Sequence, residues 1–372
     1  MTPDDTPAFT IGIEEEYLLV DPATGALRDA TDALLADLHD ALGDQVSTEF
    51  LGCQIEVGTG VCDTVANAQA DLTLLRRGVA RVVGRHGLAP VAASCHPWGD
   101  WTAQARTENP RYDQLDTDLG AVARRMLIGG MHVHVGIADP DTRIAVMNRM
   151  APWLPVLLAL STSSPFWQGR DTGLASWRVS VFDGMPRTGL PPAYAGWDAY
   201  AEAVAALVQV GVIEDASKLW WDMRPSHNFP TLEVRICDVQ PRLADTLMLA
   251  ALVQGLARHI WRRLDAPADP VPPLILSENR WRAQRYGVTE GPIRDGSIVP
   301  MGRVVGDLLD RIAPDLAALQ GIGHAGHTRD VAAHGTSACR QRAVRHVALD
   351  DGADEARALR AVVTALIADF AP

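Results

Sequence analysis

Four stretches of the chain alternate apolar and polar residues with the period of a β-strand. In Gly12-Ile13-Glu14-Glu15-Glu16-Tyr17-Leu18, Glu14 and Glu16 share a face. In Gln54-Ile55-Glu56-Val57, Gln54 and Glu56 oppose two apolar residues. In Met131-His132-Val133-His134-Val135, both histidines oppose three apolar residues, and in Leu232-Glu233-Val234-Arg235-Ile236, Glu233 and Arg235 do the same. Successive strand side chains point to opposite faces, so each polar pair points one way. The pattern predicts strands over Phe9 to Val20, Thr48 to Val57, Leu88 to Ser94, Met131 to Ile137 and Thr231 to Cys237. Helical spacing covers Thr31 to Leu42, Val65 to His86 (stopped by Gly87), Thr142 to Leu160 (kinked at its prolines) and Ala244 to Leu264. Two or three further helices close the chain. Irregular segments are expected at Ser161 to Tyr194 and Gly321 to Gly335, with a Pro-rich connection at Ala266 to Pro273. Strands and helices mix without steady βαβ alternation, which predicts an α+β fold with a largely antiparallel sheet.

Each of the four strands has one face fit to pack under helices and one that carries acids, histidines or arginine. Joined in a sheet, they form a bowl lined by Glu14, Glu16, Glu56, Glu233, His132 and Arg235. Carboxylates in that number need positive charge among them. Oxygen ligands with a single imidazole suit Mg²⁺ or Mn²⁺ better than Zn²⁺. The competing reading of any one pair is the solvated face of an ordinary antiparallel strand. Glu15 shares a face with Tyr17 and is expected to pair with an arginine.

Composition narrows the class. The chain has 372 residues and a formal net charge of −13, with Lys218 its only lysine. That balance argues against non-specific binding to nucleic acid or anionic membrane. Five widely spaced cysteines (Cys53, Cys62, Cys95, Cys237 and Cys339) without a CxxC pair predict reduced thiols and a cytoplasmic protein. Met1 to Pro7 is acidic and polar, unlike a signal peptide. The apolar stretch Ala151 to Leu160 is short and carries Pro152 and Pro155, so no membrane span is expected.

The same residues carry a family resemblance. Gly-Ile-Glu14-Glu15-Glu16, Met131-His132-Val133-His134 and Thr231-Leu-Glu233-Val-Arg235-Ile-Cys-Asp238 resemble three strands of the glutamate–cysteine ligases. Ser164-Pro165-Phe166-Trp167-Gln168-Gly169-Arg170-Asp171-Thr172-Gly173 and Glu278-Asn279-Arg280-Trp281-Arg282 resemble the bacterial carboxylate–amine ligase branch, type 2. The matches run in order from about residue 11 to 342. The resemblance implies one catalytic domain over 1–372 of the glutamine-synthetase and guanido-kinase type, a curved antiparallel sheet with helices on its convex face. It implies ATP and Mg²⁺ (or Mn²⁺) as cofactors, glutamate as the carboxylate, cysteine or another amine as the acceptor, and an acyl-phosphate intermediate. By resemblance Glu14, His132 and Glu233 hold one metal, Glu16 and Glu56 a second, and Glu49, seven residues before Glu56, is a third-metal candidate. Arg235 touches the transferred phosphoryl group. Arg340 and Arg342 are candidates for the ATP phosphates, and Arg170 and Arg178 for substrate; each of these four could equally pair with an acid. Substrate loops are expected near 161–197 and 321–342. A homodimer is left open.

Two rival readings stand beside this one. His132-Val-His134 also fits a metal-dependent amide hydrolase, which would need further ligands from His227, His324, His327 or His334. A degenerate nucleotide-binding protein is the non-enzymatic alternative. Gly321-Ile-Gly323-His-Ala-Gly326 matches GxGxxG but follows a helix, not a strand, and no Walker A motif surrounds Lys218. Asp222 and Arg224 are expected to brace the Glu233 strand.

Overall fold

The computed structural model describes residues 6–267 and 270–370. Most of the acidic N-terminal stretch and two residues of the Pro-rich connection lie outside the described residues. The main sheet has seven strands: β1 (Ile11–Val20), β2 (Val46–Thr48), β3 (Gln54–Gly58), β4 (Ala89–Val91), β5 (Met131–Gly136), β6 (Met223–Pro225) and β7 (Thr231–Val234). Their order is β6-β7-β5-β1-β3-β2, with β4 beside the far half of β1, and every pairing is antiparallel.

The odd-numbered face of β1 is the apolar one. Ile11, Ile13 and Tyr17 join Ile55, Val57, Val133, Val135, Leu232 and Val234 in a buried core. Over it lie the helices Val65–Arg85 and Leu243–Trp261, both with buried apolar stripes at helical spacing. The even-numbered face is divided. Gly12, Glu14 and Glu16 lie in its polar half, whereas Leu18 and Val20 enter a second core closed by the helix Glu355–Phe370. The polar patch therefore ends where β1 turns apolar at Leu18.

Three expectations need correction. The strand expected over Thr48 to Val57 is a hairpin: Gln54 N donates to Leu51 O across a turn that includes Gly52. Residues 161–194 contain a helix, Trp177–Phe182, and a short hairpin of Phe166–Trp167 with Arg170–Asp171. The segment 321–335 folds into two short helices, Ile322–Gly326 and Thr328–His334, in which Ala325 and Val331 are buried beside Leu243–Trp261 and Met301–Ala318. Tertiary packing there overrides the low helix propensity of glycine. The run Pro140–Ser161 is long and apolar enough to cross a membrane, but most of it is buried in the core, and Pro152 sits in a 3₁₀ turn between its two helical halves.

Glu15 points into the apolar core and is fully buried. Arg76, equally buried, grips it with Nη2–Oε1 at 2.5 Å and Nε–Oε2 at 2.9 Å. Thr246 Oγ1 and Tyr17 Oη donate to the same carboxylate at 2.6 and 2.5 Å. Arg76 Nη2 and Nη1 also donate to the carbonyls of Gln240 and Pro241. This network pins β1 to two helices and to the segment after β7. Removing one partner from such a pair leaves an uncompensated buried charge. Arg76→Met should lower unfolding free energy by about 3–5 kcal/mol, read from urea denaturation; a loss within error would show the pair to be dispensable.

Asp245, in the first turn of Leu243–Trp261, accepts from His327 Nε2 and Arg340 Nη2, each at 2.8 Å. The Asp245 bond raises the His327 pKa above its ordinary 6.5. A raised pKa gives stabilisation that is full below the unfolded value and lost as pH climbs through the folded one. The melting-temperature advantage of wild type over His327→Gln should shrink as pH rises from about 5.5 to about 9.

Candidate active site

The strand register brings the polar residues into rows. Glu14 stands between His132 of β5 and Gly58 of β3, and Glu16 opposite Glu56. Glu233 stands opposite His134 on one side and Arg224 of β6 on the other. Ser47 of β2 faces Glu56 and donates to it at 3.4 Å. The hairpin turn carries Glu49 back to this corner, so that Glu16, Glu49 and Glu56 offer oxygens within 4.8 Å of one another. Two further groups meet that limit: Glu14, Glu56 and His132, and Glu14, His134 and Glu233. Glu14 and Glu56 each belong to two of the three groups.

The histidines divide Glu14 between them. His132 Nδ1 bonds Glu14 Oε2 at 2.9 Å, while His134 Nε2 lies 3.3 Å from Oε1. Burial works against the Glu14 charge, yet the close contacts of His132 and His134 hold its pKa far below the usual carboxylate range. Burial and the Arg235 charge lower His132. His134 is raised: burial opposes its charge, but the adjacent Glu14 carboxylate outweighs it. Glu56 goes the other way. Its burial, with the charges of Glu49, Glu14 and Glu16, pushes it well above the ordinary carboxyl value. Among the described residues the row thus carries less positive charge at the Glu56 end than at the Glu233 end.

At the opposite end Glu233 is held by two arginines. Arg224 Nε donates to Oε2 at 2.8 Å, and Arg235 Nη1 contacts Oε1 closely. Despite burial, Arg235 and then Arg224 keep Glu233 strongly acidic. Arg235 lies one residue past the paired part of β7, where its own N–H and that of Ile236 both donate to Asp222 O. Its Nε is buried without a hydrogen-bond partner. Arg224 braces Glu233 as expected; Asp222 braces the strand through its backbone carbonyl, and its carboxylate instead binds Arg280.

The other arginines are dispersed. Arg178 is buried and donates to the carbonyls of Arg235 and Ile236, lying over Gly130, where any Cβ would collide with its guanidinium. Arg170 is exposed on the short hairpin. Arg342 forks onto Asp171 of the same hairpin at 2.9 and 2.7 Å. Arg340 is engaged by Asp245, next to the Thr246 that holds Glu15 beneath the helices. Arg170, Arg340 and Arg342 make no contact with the carboxylate row. Its sequence motif gave no hint of the role of Asp238, a buried carboxylate bonded by Ser163 N, Ser164 Oγ and Ser176 Oγ, which anchors the 161–178 segment beside β7.

The rival zinc-type site does not assemble. His324 bonds Gln69, His327 bonds Asp245, His334 bonds Asp330 O and His227 sits 3.7 Å from Asp215, all apart from His132 and His134. The residues present fit hard divalent cations: mostly carboxylate oxygens, clustered at coordinating separations and short of counter-charge.

The fold is shared with solved enzymes of one class. A glutamate–cysteine ligase from Francisella tularensis, solved with AMP, superposes with a TM-score of 0.69 at 13% identity over 97% of this chain and 89% of that one. A bifunctional glutathione synthetase from Pasteurella multocida gives 0.71 at 14% identity; this chain is matched over 97% of its length and spans 52% of that protein. These likenesses define a glutamate–cysteine ligase fold. The chain itself belongs to glutamate–cysteine ligase family 2, whose model matches residues 10–364, and so to the ATP-dependent carboxylate–amine ligases that form amide bonds. Relatives provisionally named glutamate–cysteine ligase 2 are 51% identical in Jannaschia sp. (97% of both chains) and 50% identical in Paracoccus denitrificans (98% of both).

Glu56→Gln tests the crowding. Because the folded Glu56 pKa is raised, metal-free wild type loses stability as pH rises above the ordinary carboxyl value. The metal-free variant should therefore melt higher than wild type by a few degrees near pH 8, about 2–4 °C for each kcal/mol. It should also lose most of the Mg²⁺-induced rise in melting temperature. A variant that melts lower and still responds fully to Mg²⁺ would contradict the assignment.

Proposed function

We propose that this chain joins the γ-carboxylate of glutamate to an amine through an acyl phosphate, with cysteine as one candidate amine. The observation that carries the reading is the convergence of Glu14, Glu16, Glu49, Glu56, Glu233, His132 and His134 on one face beside Arg235. The names of the relatives support glutamate as the carboxylate. The AMP bound to the Francisella enzyme supports the use of an adenine nucleotide.

The chemistry needs what this face offers. A carboxylate is a poor acyl donor because its leaving group would be an oxide. When a carboxylate oxygen attacks the γ-phosphorus of ATP, the bond to ADP breaks and the leaving group becomes phosphate. The amine then attacks the acyl carbon, phosphate departs with the C–O bond electrons, and the nitrogen loses its proton. Donor carboxylate, nucleotide tail and moving phosphoryl all carry negative charge, and bringing them together is costly without cations. Mg²⁺ held by Glu14, Glu16, Glu49, Glu56, His132 and Glu233 would supply that charge when bound. Arg235 projects from the same row and is the group we assign to the phosphoryl oxygens. Arg178, fixed over Gly130, and Arg170, exposed on the hairpin, are assigned to substrate; Arg340 and Arg342 act on nucleotide only by exchanging their present acids. The free cysteines fit a cytoplasmic enzyme.

An ADP-release assay across carboxylate and amine pairs should show product only with ATP and Mg²⁺, in step with ADP and phosphate. AMP formed in step with product would point to adenylation and sink the acyl-phosphate route. Arg235→Lys keeps a charge but loses the planar fork. Its single-turnover rate should fall roughly tenfold to a thousandfold, with a smaller effect on ATP affinity. If Arg235 only braces Glu233, the variant will instead melt lower and turn over normally per folded molecule.

A further inference from the structure

We infer that His134 is a cation ligand, completing with Glu14 and Glu233 a metal position distinct from the one that His132 shares with Glu14 and Glu56. This rests on the reading of the carboxylate row as a cation site, and it assigns a ligand outside the set implied by the family resemblance. One imidazole nitrogen and two carboxylate oxygens lie mutually within 4.8 Å in the Glu14, His134 and Glu233 group. The ring is set for coordination. Thr231 Oγ1 lies 2.8 Å from Nδ1, on the side away from the carboxylates, and leaves Nε2 directed at Glu14 Oε1. That second-atom bond is how metal-ligating histidines are oriented. His134 is buried, and Phe229 packs edge-on against its ring, with 6.1 Å between ring centroids. Nε2 nevertheless makes no hydrogen bond, since its approach to Glu14 at 3.3 Å is misaligned for one. A buried ring nitrogen that is oriented, unpartnered and faced by two carboxylates has the surroundings of a ligand, not of a lining group.

The register explains why the two histidines serve different positions. His132 is directly across from Glu14, whereas His134 is across from Glu233 and reaches Glu14 on the diagonal. Glu14 thereby presents Oε2 to His132 and Oε1 to His134, so its carboxylate bridges two positions. Glu56 bridges the second to the third, where Glu16 and Glu49 complete an all-oxygen set. Positions with one imidazole accept Mn²⁺ readily, and the all-carboxylate position suits Mg²⁺.

Mn²⁺ binding to the full-length protein, followed by electron spin echo spectroscopy for coupling to histidine nitrogen, tests this without any assay of turnover. Wild type should show nitrogen coupling from both rings. His134→Gln should lose one of the two and bind one Mn²⁺ about tenfold to a hundredfold more weakly, as should Thr231→Val, which only releases the ring. His132→Gln should lose the other coupling. Should His134→Gln fail to fold, Thr231→Val decides, because it retains every carboxylate and both imidazoles. Unchanged Mn²⁺ affinity and nitrogen coupling in these two variants would overturn the assignment of His134 while leaving the ligase reading intact. Wild-type protein that bound no Mn²⁺ would overturn both this assignment and the cation reading of the row.

Discussion

The structure turns on a repulsion. Glu14, Glu16, Glu49, Glu56 and Glu233 meet on one strand face, with oxygens of neighbouring members inside 5 Å. Two charges at about 4 Å cost roughly 4 kcal/mol at the effective dielectric of a protein surface, so several such pairs rival the whole stability of a domain. The chain relieves part of this itself. Arg224 and Arg235 neutralise Glu233, and His132 and His134 share Glu14. Among the described residues nothing comparable serves Glu56, whose charge is suppressed. A face left short of positive charge at one end is a face that favours cations, and a cation-loaded face is what lets polyanionic reactants approach.

Holding such a face together requires a strong opposite one. In β1 the acids run consecutively, Glu14-Glu15-Glu16, and the pleat sends the middle one into the core. An unpaired carboxylate there would destabilise the sheet; bonded by Arg76, Thr246 and Tyr17 it ties β1 to two helices instead. The same strand therefore carries the repulsive residues and the anchor that resists them. Leu18 then closes the even face with a second core, which confines the repulsion to a short patch instead of letting it run along β1.

Much of this was legible in the sequence because strand alternation is strictly two-residue, so a pair such as His132 and His134 declares its common face without any knowledge of partners. The expectation that Glu15 pairs with an arginine was reached the same way. Which arginine was not evident, although Arg76 stands out in hindsight as a charge among the buried positions Leu72, Leu75 and Val79 of its helix. Pairing across large sequence separations is what periodicity cannot supply. It left Arg170, Arg178, Arg340 and Arg342 equivalent, and only packing shows Arg178 beneath the site, Arg342 on Asp171 and Arg340 on Asp245. Helices at 322–334 were missed because glycine and histidine read locally as loop, while their formation depends on Ala325 and Val331 finding a core.

Glu233 links the two roles the face must perform. Arg224 donates to both its oxygens, Nε to Oε2 at 2.8 Å and Nη2 to Oε1 at 3.3 Å, while Arg235 Nη1 also contacts Oε1 and His132 Nδ1 lies 3.9 Å from it. A cation that takes Oε1 competes with Arg235 for it. The guanidinium, buried, strongly basic and already missing a partner at Nε, then needs another anion within reach. A phosphoryl group would meet that need. Cation binding and phosphate recognition would be coupled through this carboxylate: without cation Arg235 bonds Glu233, and a cation on Glu233 would free it toward another anion.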